Sequence, residues 1–187
     1  KYLYKPEDYT DVGQARMLGE VFRGELRYSP ATDYIHYNGT YWRETKPGAQ
    51  HVAHALTDLQ LAEAQQDIQN NVGAYEDTGA AEIMAKNPKK KATAVLNDEQ
   101  LDAYELYTAA ISYRAFALQR RESKNVTATL REARPVLEID PALLDKDWYL
   151  MCTPAATYDL RRGLSGAQAH NPEDFITHVT AASPSEK

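Results

Sequence analysis

The chain has 187 residues, enough for one domain of ordinary size or two small ones. Hydrophobic residues make up 43% of it, which supports a packed core, and no run approaches the length of a membrane span. With 21 Lys and Arg against 27 Asp and Glu the net charge is −6, which argues against a protein coated in nucleic acid and leaves room only for a local basic patch.

The first predicted element is a helix from Thr10 or Asp11 to about Arg23. Thr10 or Asp11 is its cap, Val12, Ala15, Leu18 and Val21 or Phe22 are its apolar positions, and Gly24 is its stop. Leu26–Tyr28 reads as a short strand. Tyr34–Tyr37 and Tyr41–Arg43 flank Asn38-Gly39, a hairpin signal because both turn residues tolerate positive φ. Gly48 to Gln69 is rich in helix formers, with Val52, Leu56, Leu59, Ala62 and Gln66 on one face. Gly73 and Gly79 weaken the stretch that follows.

Asn97 caps a second long helix, Asp98 to Glu122, striped by Leu101, Tyr104, Tyr107 or Thr108, Ile111, Ala115 and Leu118. Ser123 caps a third, which the sequence ends just before Pro135. Residues 148–152 and 157–160 form a closing hairpin. The pattern predicts an α+β chain, mostly α-helical, with small antiparallel β-hairpins near the N- and C-terminal ends. It divides into an N-terminal helix and hairpin (1–47), a helical middle (48–135) and a C-terminal hairpin segment (136–180). No spacing favours or disfavours packing of the two terminal hairpins on one another.

Thirteen tyrosines against 3 Phe and 2 Trp place many rings at half-buried surfaces. The single cysteine, Cys152, forms no internal disulfide and fits a reducing, cytoplasmic compartment. No signal peptide is visible. The chain opens on Lys1 and closes on Ser-Pro-Ser-Glu-Lys, which reads as a piece cut from a longer protein.

Charge is segregated along the chain. Residues 51–85 carry six acids and no Lys or Arg, and Lys86, Lys89, Lys90 and Lys91 then form a basic knot that reads as a solvated loop. The window 114–134 holds Arg114, Arg120, Arg121, Lys124, Arg131 and Arg134 against Glu122 and Glu132. Tyr113 and Phe116 add rings beside these cations. Cations that grip phosphates next to rings that stack on bases are the means of binding single-stranded nucleic acid. The same cations also pair with acidic neighbours at ordinary protein surfaces, which is the structural reading of the window.

Other constellations are weaker. No GxxxxGK[ST] loop is present, so the chain should not hydrolyse ATP through that motif. Asp145-Lys146-Asp147 has the spacing of a two-carboxylate metal site but stands where turn chemistry is natural. His51 and His54, at i and i+3, lack a third ligand by spacing. Cys152 sits in an apolar strand and reads as a buried thiol. His170 and His178 flank a turn capped by Asn171, with Pro172 at its first position. No catalytic residue, metal ligand or cofactor is assigned.

Three stretches together resemble the poxvirus-type primase-helicase N-terminal-like domain of phage and plasmid primase–helicase proteins. The opening shares Thr10, Asp11, Gly13, Leu26, Arg27, Tyr28, Asn38, Gly39 and Trp42. The close shares Leu143, Leu144, Thr153, Pro154, Asp159, Leu160, His170, Pro172, Asp174 and Thr177, with Ala156 where the family has Gly. The resemblance implies a non-catalytic accessory domain beside a ring-forming superfamily-three helicase, with the closing hairpin handing the chain to the motor. Its expected partners are single-stranded DNA, the covalently adjacent helicase domain and further copies through the parent ring, with no membrane. The alternative is a purely structural oligomerisation or interdomain module that never touches DNA.

Overall fold

The computed structural model describes residues 2–184; residue 1 and residues 185–187, at the ends that read as cut points, lie outside the described residues. The chain falls into two compact units. One is made of the residues up to Tyr9 together with His54–Val126, and the other of Thr10–Ala53 together with the chain from Thr127 onward. The architecture is mostly α-helical with two small three-stranded antiparallel sheets, the α+β class that the sequence predicts.

In the unit that holds Thr10–Ala53, helix α1 (Asp11–Phe22) starts where extended Thr10 accepts the Gly13 amide at 3.1 Å. That bond satisfies one of the helix's orphan donors. Ala15, Leu18 and Phe22 are its buried face. Gly19 lies on that side too, where a Cβ would collide with the side chain of Val136 in helix α5 (Ser123–Leu137), so glycine lets the two helices approach. The helix stops where the sequence predicts, with Arg23 as its C-cap and Gly24 next; Gly24 does not take a positive φ, and the Glu25 amide bonds the Phe22 carbonyl at 2.9 Å.

Strands β1 (Leu26–Ser29), β2 (Asp33–Tyr37) and β3 (Trp42–Glu44) follow as an antiparallel meander, with Leu26 opposite His36 and Tyr37 opposite Trp42. The Asn38-Gly39 turn forms with different chemistry from that predicted. Only Gly39 takes a positive φ, +92°, while the Asn38 side-chain oxygen accepts the amides of Thr40 and Tyr41, each at 3.0 Å. Tyr34 and Ile35, on opposite faces of β2, are both buried.

The C-terminal sheet is larger than the hairpin in the sequence. Strands β4 (Leu150–Cys152) and β5 (Thr157–Asp159) are joined by a third, β6 (Ala167–Gln168). The four-residue turn between β4 and β5 is closed by Thr153, whose amide and hydroxyl both bond the Ala156 carbonyl, at 3.0 and 2.8 Å. Ala156 does not adopt a positive φ, so alanine serves where the family has glycine.

Trp42 ties the two ends of this unit together. Its backbone N–H donates to the Ile176 carbonyl at 2.8 Å, and its indole N–H donates to the Pro172 carbonyl at 2.7 Å. The ring stacks on Phe175 at 5.8 Å and packs with buried Ile35 and Ile139. A further bond runs from the Ile139 amide to the Tyr28 carbonyl at 2.9 Å.

In the other unit, helix α2 (Lys46–Asp77), which contributes residues to both units, runs through Gly73 and ends before Gly79, whose φ is +77°. It is longer than predicted; Val52 and Leu56 are buried as predicted, and the buried stripe then runs through Gln60 and Ala64 instead of Ala62 and Gln66. Helix α3 (Ala80–Lys86) is short. Helix α4 (Asp98–Gln119) opens on a reciprocal capping box between Asn97 and Gln100.

The core face of α4 is not the predicted one. Ala103, Ala110, Tyr113, Phe116 and Ala117 are buried, whereas Ile111 and Leu118 are 41% and 43% exposed. The N-terminal strap makes that choice. Tyr9 stacks on Tyr113 and Phe116, Tyr2 meets Tyr113 edge-on, and the Tyr113 hydroxyl donates to Glu63 at 2.9 Å. Burial, reinforced by Glu63, pushes the Tyr113 phenol well above its ordinary range.

Helix α5 begins at Ser123 and passes through Pro135, beyond its predicted end, to Leu137. Proline removes one bond only in the last turn. Burial of Leu137 and a bond from the Arg23 guanidinium to the Val136 carbonyl, 2.8 Å, hold that turn. Among the described residues no helix is long and apolar enough to cross a membrane.

Trp42→Phe puts a smaller ring in place of the indole and removes its bond to the Pro172 carbonyl, which keeps the Phe175 amide at 3.2 Å. Urea unfolding is expected to show a loss of at least about 0.5–1.5 kcal/mol, the net worth of one hydrogen bond. The His36 ring is packed against the first turn of α2, where a Cβ on Gly48 would lie 3.1 Å from the His36 Cβ. Burial holds the imidazole below its usual pKa, His51 adds to this, and Glu25 opposes it. The folded state therefore binds the proton less readily than the unfolded chain. His36 contributes stability above the ordinary histidine pKa and loses it as pH falls through its depressed value. The urea midpoint should drop between pH 7.5 and pH 5.5, and His36→Gln should drop less.

Candidate nucleic-acid interface

The basic window is divided between the two units. Arg114, Arg120, Arg121 and Lys124 belong to the unit built on His54–Val126, and Arg131 and Arg134 to the other. Arg114 is exposed on α4 and makes no ion pair among the described residues. One i,i+7 step along the helix, Arg121 follows just past its end and pairs with Asp58 of α2. Lys124 in the first turn of α5 lies 3.2 Å from Glu122.

Arg120 differs from these. It is 8% exposed and its guanidinium lies 5.0 Å over the Phe116 ring, so it belongs to the core of its unit. Sequence spacing groups Arg120 with its neighbours, but the end of α4 turns it inward. The Lys86–Lys91 knot is exposed throughout its lysines, with Lys86 paired to Glu82.

In the other unit, Arg131 reaches its neighbour Glu132 at 3.1 Å, and Arg134 stands 5.2 Å over the Tyr28 ring with Asp33 at 3.8 Å. Both arginines line a cavity of about 340 Å³ that also takes in Asp33, Tyr34, Lys46 and Leu130. Sequence reasoning missed Lys46 and Asp33. A lysine at the first position of a helix, against the preference of the dipole, is the one signal that points to the former.

The weaker constellations resolve into internal bonds. Asp145 accepts the Thr177 amide at 2.8 Å and faces His178 at 3.3 Å. Asp147 accepts the Tyr149 amide and the Arg161 guanidinium at 3.0 and 3.1 Å. Arg161 also bonds Asp159, which holds that carboxyl below the usual range. Cys152 is 2% exposed, its sulfur lies 3.6 Å from the Thr40 carbonyl and 3.8 Å from His170 Nδ1, and burial pushes the thiol up. His51 and His54 are exposed on α2. Among the described residues no group of three or more His, Cys, Asp or Glu is arranged to hold a metal ion.

The residues quoted for the family resemblance all fall in the unit built on Thr10–Ala53 and the chain from Thr127 onward. Several carry its internal bonds: Thr10 caps α1, Asn38 closes the first turn and Trp42 clasps Pro172. Thr153 closes the second turn, His170 meets Thr157 at 3.0 Å, and Thr177 bonds Asp145.

No curated protein and no solved structure matches the chain. Residues 15–187 match a family described as D5 N terminal like. That match takes in all six strands and every helix except the first turn of α1; the residues up to Gln14, Thr10, Asp11 and Gly13 of the resemblance included, precede it. The chain therefore belongs to the D5 N-terminal-like family, the domain of phage, plasmid and poxvirus primase–helicase proteins.

Proposed function

We propose that this chain is a non-catalytic accessory domain of a DNA primase–helicase, acting in the cytoplasm, that helps the parent protein engage single-stranded DNA and assemble its helicase ring. The family supports the primase–helicase context. The observation that carries the DNA part is the set of solvent-facing cations Arg114, Arg121 and Lys124 around the end of α4 and the start of α5. Two of them sit in ion pairs, but the partners are exposed. Exposed pairs are worth about 0–1 kcal/mol, so a phosphate can replace the carboxylate at little cost. On a body with net charge −6, such a patch orients a polyanion instead of attracting it everywhere.

A second reading, a structural module without DNA contact, draws on the same side chains. Arg121, Lys124, Arg131 and Arg134 all have acidic partners, and Arg120 is buried. The readings separate by titrating a fluorescent single-stranded oligonucleotide across a salt series. The accessory DNA role predicts measurable binding at low salt, with log K falling against log salt at a slope near −2 for about three phosphates on a single strand. Arg114→Glu, Arg121→Glu and Lys124→Glu together should abolish it. Absence of binding at low salt leaves the structural reading.

Arg120 is a poor position for that test. Arg120→Glu is expected to lower stability by about 3–5 kcal/mol, because it replaces a buried cation with a buried anion. Thermal unfolding of the single variant checks this directly.

A further inference from the structure

The cavity bearing Arg131 and Arg134 combines features that point to a ligand. Its floor is apolar: Ala49 and Tyr34 are buried, Leu130 is half-buried, and the Tyr34 hydroxyl is already committed to the Leu130 carbonyl. Three cations stand on its lining, Lys46, Arg131 and Arg134, against one carboxylate, Asp33. At about 340 Å³ it lies at the small end of ligand pockets, about 300–1,000 Å³, the scale of a single small molecule or one unit of a polymer.

Two of its residues are unfavourable for the folded chain alone. Lys46 occupies the first helical position of α2, beside the positive end of the helix dipole, and no acid in the first turn offsets it. Lys46 is exposed and makes no ion pair among the described residues. An anion placed there gains from both the lysine and the helix terminus. Asp33 holds a left-handed φ of +67°, uncommon for a residue with a side chain. Its Oδ1 has no hydrogen-bond donor, its pair with Arg134 is long at 3.8 Å, and the side chain as a whole is 35% exposed. A carboxylate so weakly partnered, with part of its side chain open, can accept a ligand N–H.

Each feature narrows the ligand. A simple anion has no use for the apolar floor, and an apolar tail has no donor for Asp33. A flat ring with an amino group, attached to a phosphate, answers all three. We propose that this cavity seats one nucleotide of single-stranded DNA, its base on Ala49, Leu130 and Tyr34, its amino group donating to Asp33, and its phosphate between Lys46 and Arg131. The assignment rests on the reading that the domain engages single strands. It gives this unit a base-reading contact, beside the backbone contacts proposed for the cations of the other unit.

Cytosine offers an exocyclic N4 amine where thymine offers an O4 acceptor, so the two pyrimidines test the Asp33 contact at equal size. The whole chain is titrated with oligo(dC) and oligo(dT) of equal length. Oligo(dC) is expected to bind about 5–10-fold more tightly, the scale of one charge-assisted contact to a base edge. Asp33→Asn, whose side chain tolerates the left-handed backbone, should reduce the ratio to within about twofold. Gln50→Trp, which fills the cavity from an exposed position on its lining, should remove the preference and leave the salt-dependent backbone binding intact. Circular dichroism and thermal melts of both variants check that they remain folded.

Equal binding of the two oligonucleotides by the unaltered chain overturns the pocket assignment and leaves the DNA role standing. A preference that survives both substitutions overturns it as well, because the base is then read elsewhere. Failure of both oligonucleotides to bind overturns the DNA role and the pocket together. Chemical-shift changes around Lys46 and Leu130 with free dCMP, and none with the oligonucleotide, overturn the strand form in favour of a soluble nucleotide.

Discussion

The indole of Trp42 is the contact on which the Thr10–Ala53 unit depends. That unit is assembled from two distant pieces of chain, and a discontinuous fold needs long-range bonds to repay the entropy of closing the loop between them. Trp42 supplies two such bonds from one residue, to Pro172 and Ile176, together with a stacked ring and a place in the Ile35–Ile139 cluster. The small sheets at either end have three strands each, of two to five residues. Sheets this short are marginal without a covered face, and the clasp gives the first sheet one.

That dependence gives the positions quoted for the resemblance a structural role. The quoted positions at the two ends of the chain cap, turn and clasp this one unit, and they need not touch a substrate to be necessary. Asp145, Asp147, Cys152 and His170 also make bonds inside this unit. The contacts proposed with DNA draw instead on cations of α4 and α5 and on the cavity beside β2.

Much of this was legible in local sequence. Thr10 and Asn97 mark helix starts because a short polar side chain next to orphan amides acts within three residues, while Ser123 is itself the first residue of α5. Asn38-Gly39 marks a turn for the same reason, although the asparagine contributes through its side chain and not through a left-handed backbone. Helix faces were less legible. Helix α4 carries apolar residues on several sides, so 3.6-residue spacing permits more than one stripe. Tyr9 and Tyr2, about a hundred residues away in sequence, decide that Tyr113 and Phe116 face inward and leave Ile111 and Leu118 to solvent. Pro135 misleads in the same way, because a local rule about backbone donors is overridden by the burial of Leu137 and the bond from Arg23.

The sequence by itself determined the fold class, the helix starts, the two turns and the concentration of positive charge between residues 114 and 134. Each of these is set by interactions within a turn or two of chain. Tertiary structure alone decided which cations face solvent, turning Arg120 onto Phe116 while Arg114 stays exposed, and it alone gathered Asp33, Lys46 and Arg134 around one cavity. Asp33 and Lys46 stand 13 positions apart and Arg134 another 88 beyond, and no local period relates the three. Only the closing of the chain on itself fixes the burial and electrostatics that give each side chain its role.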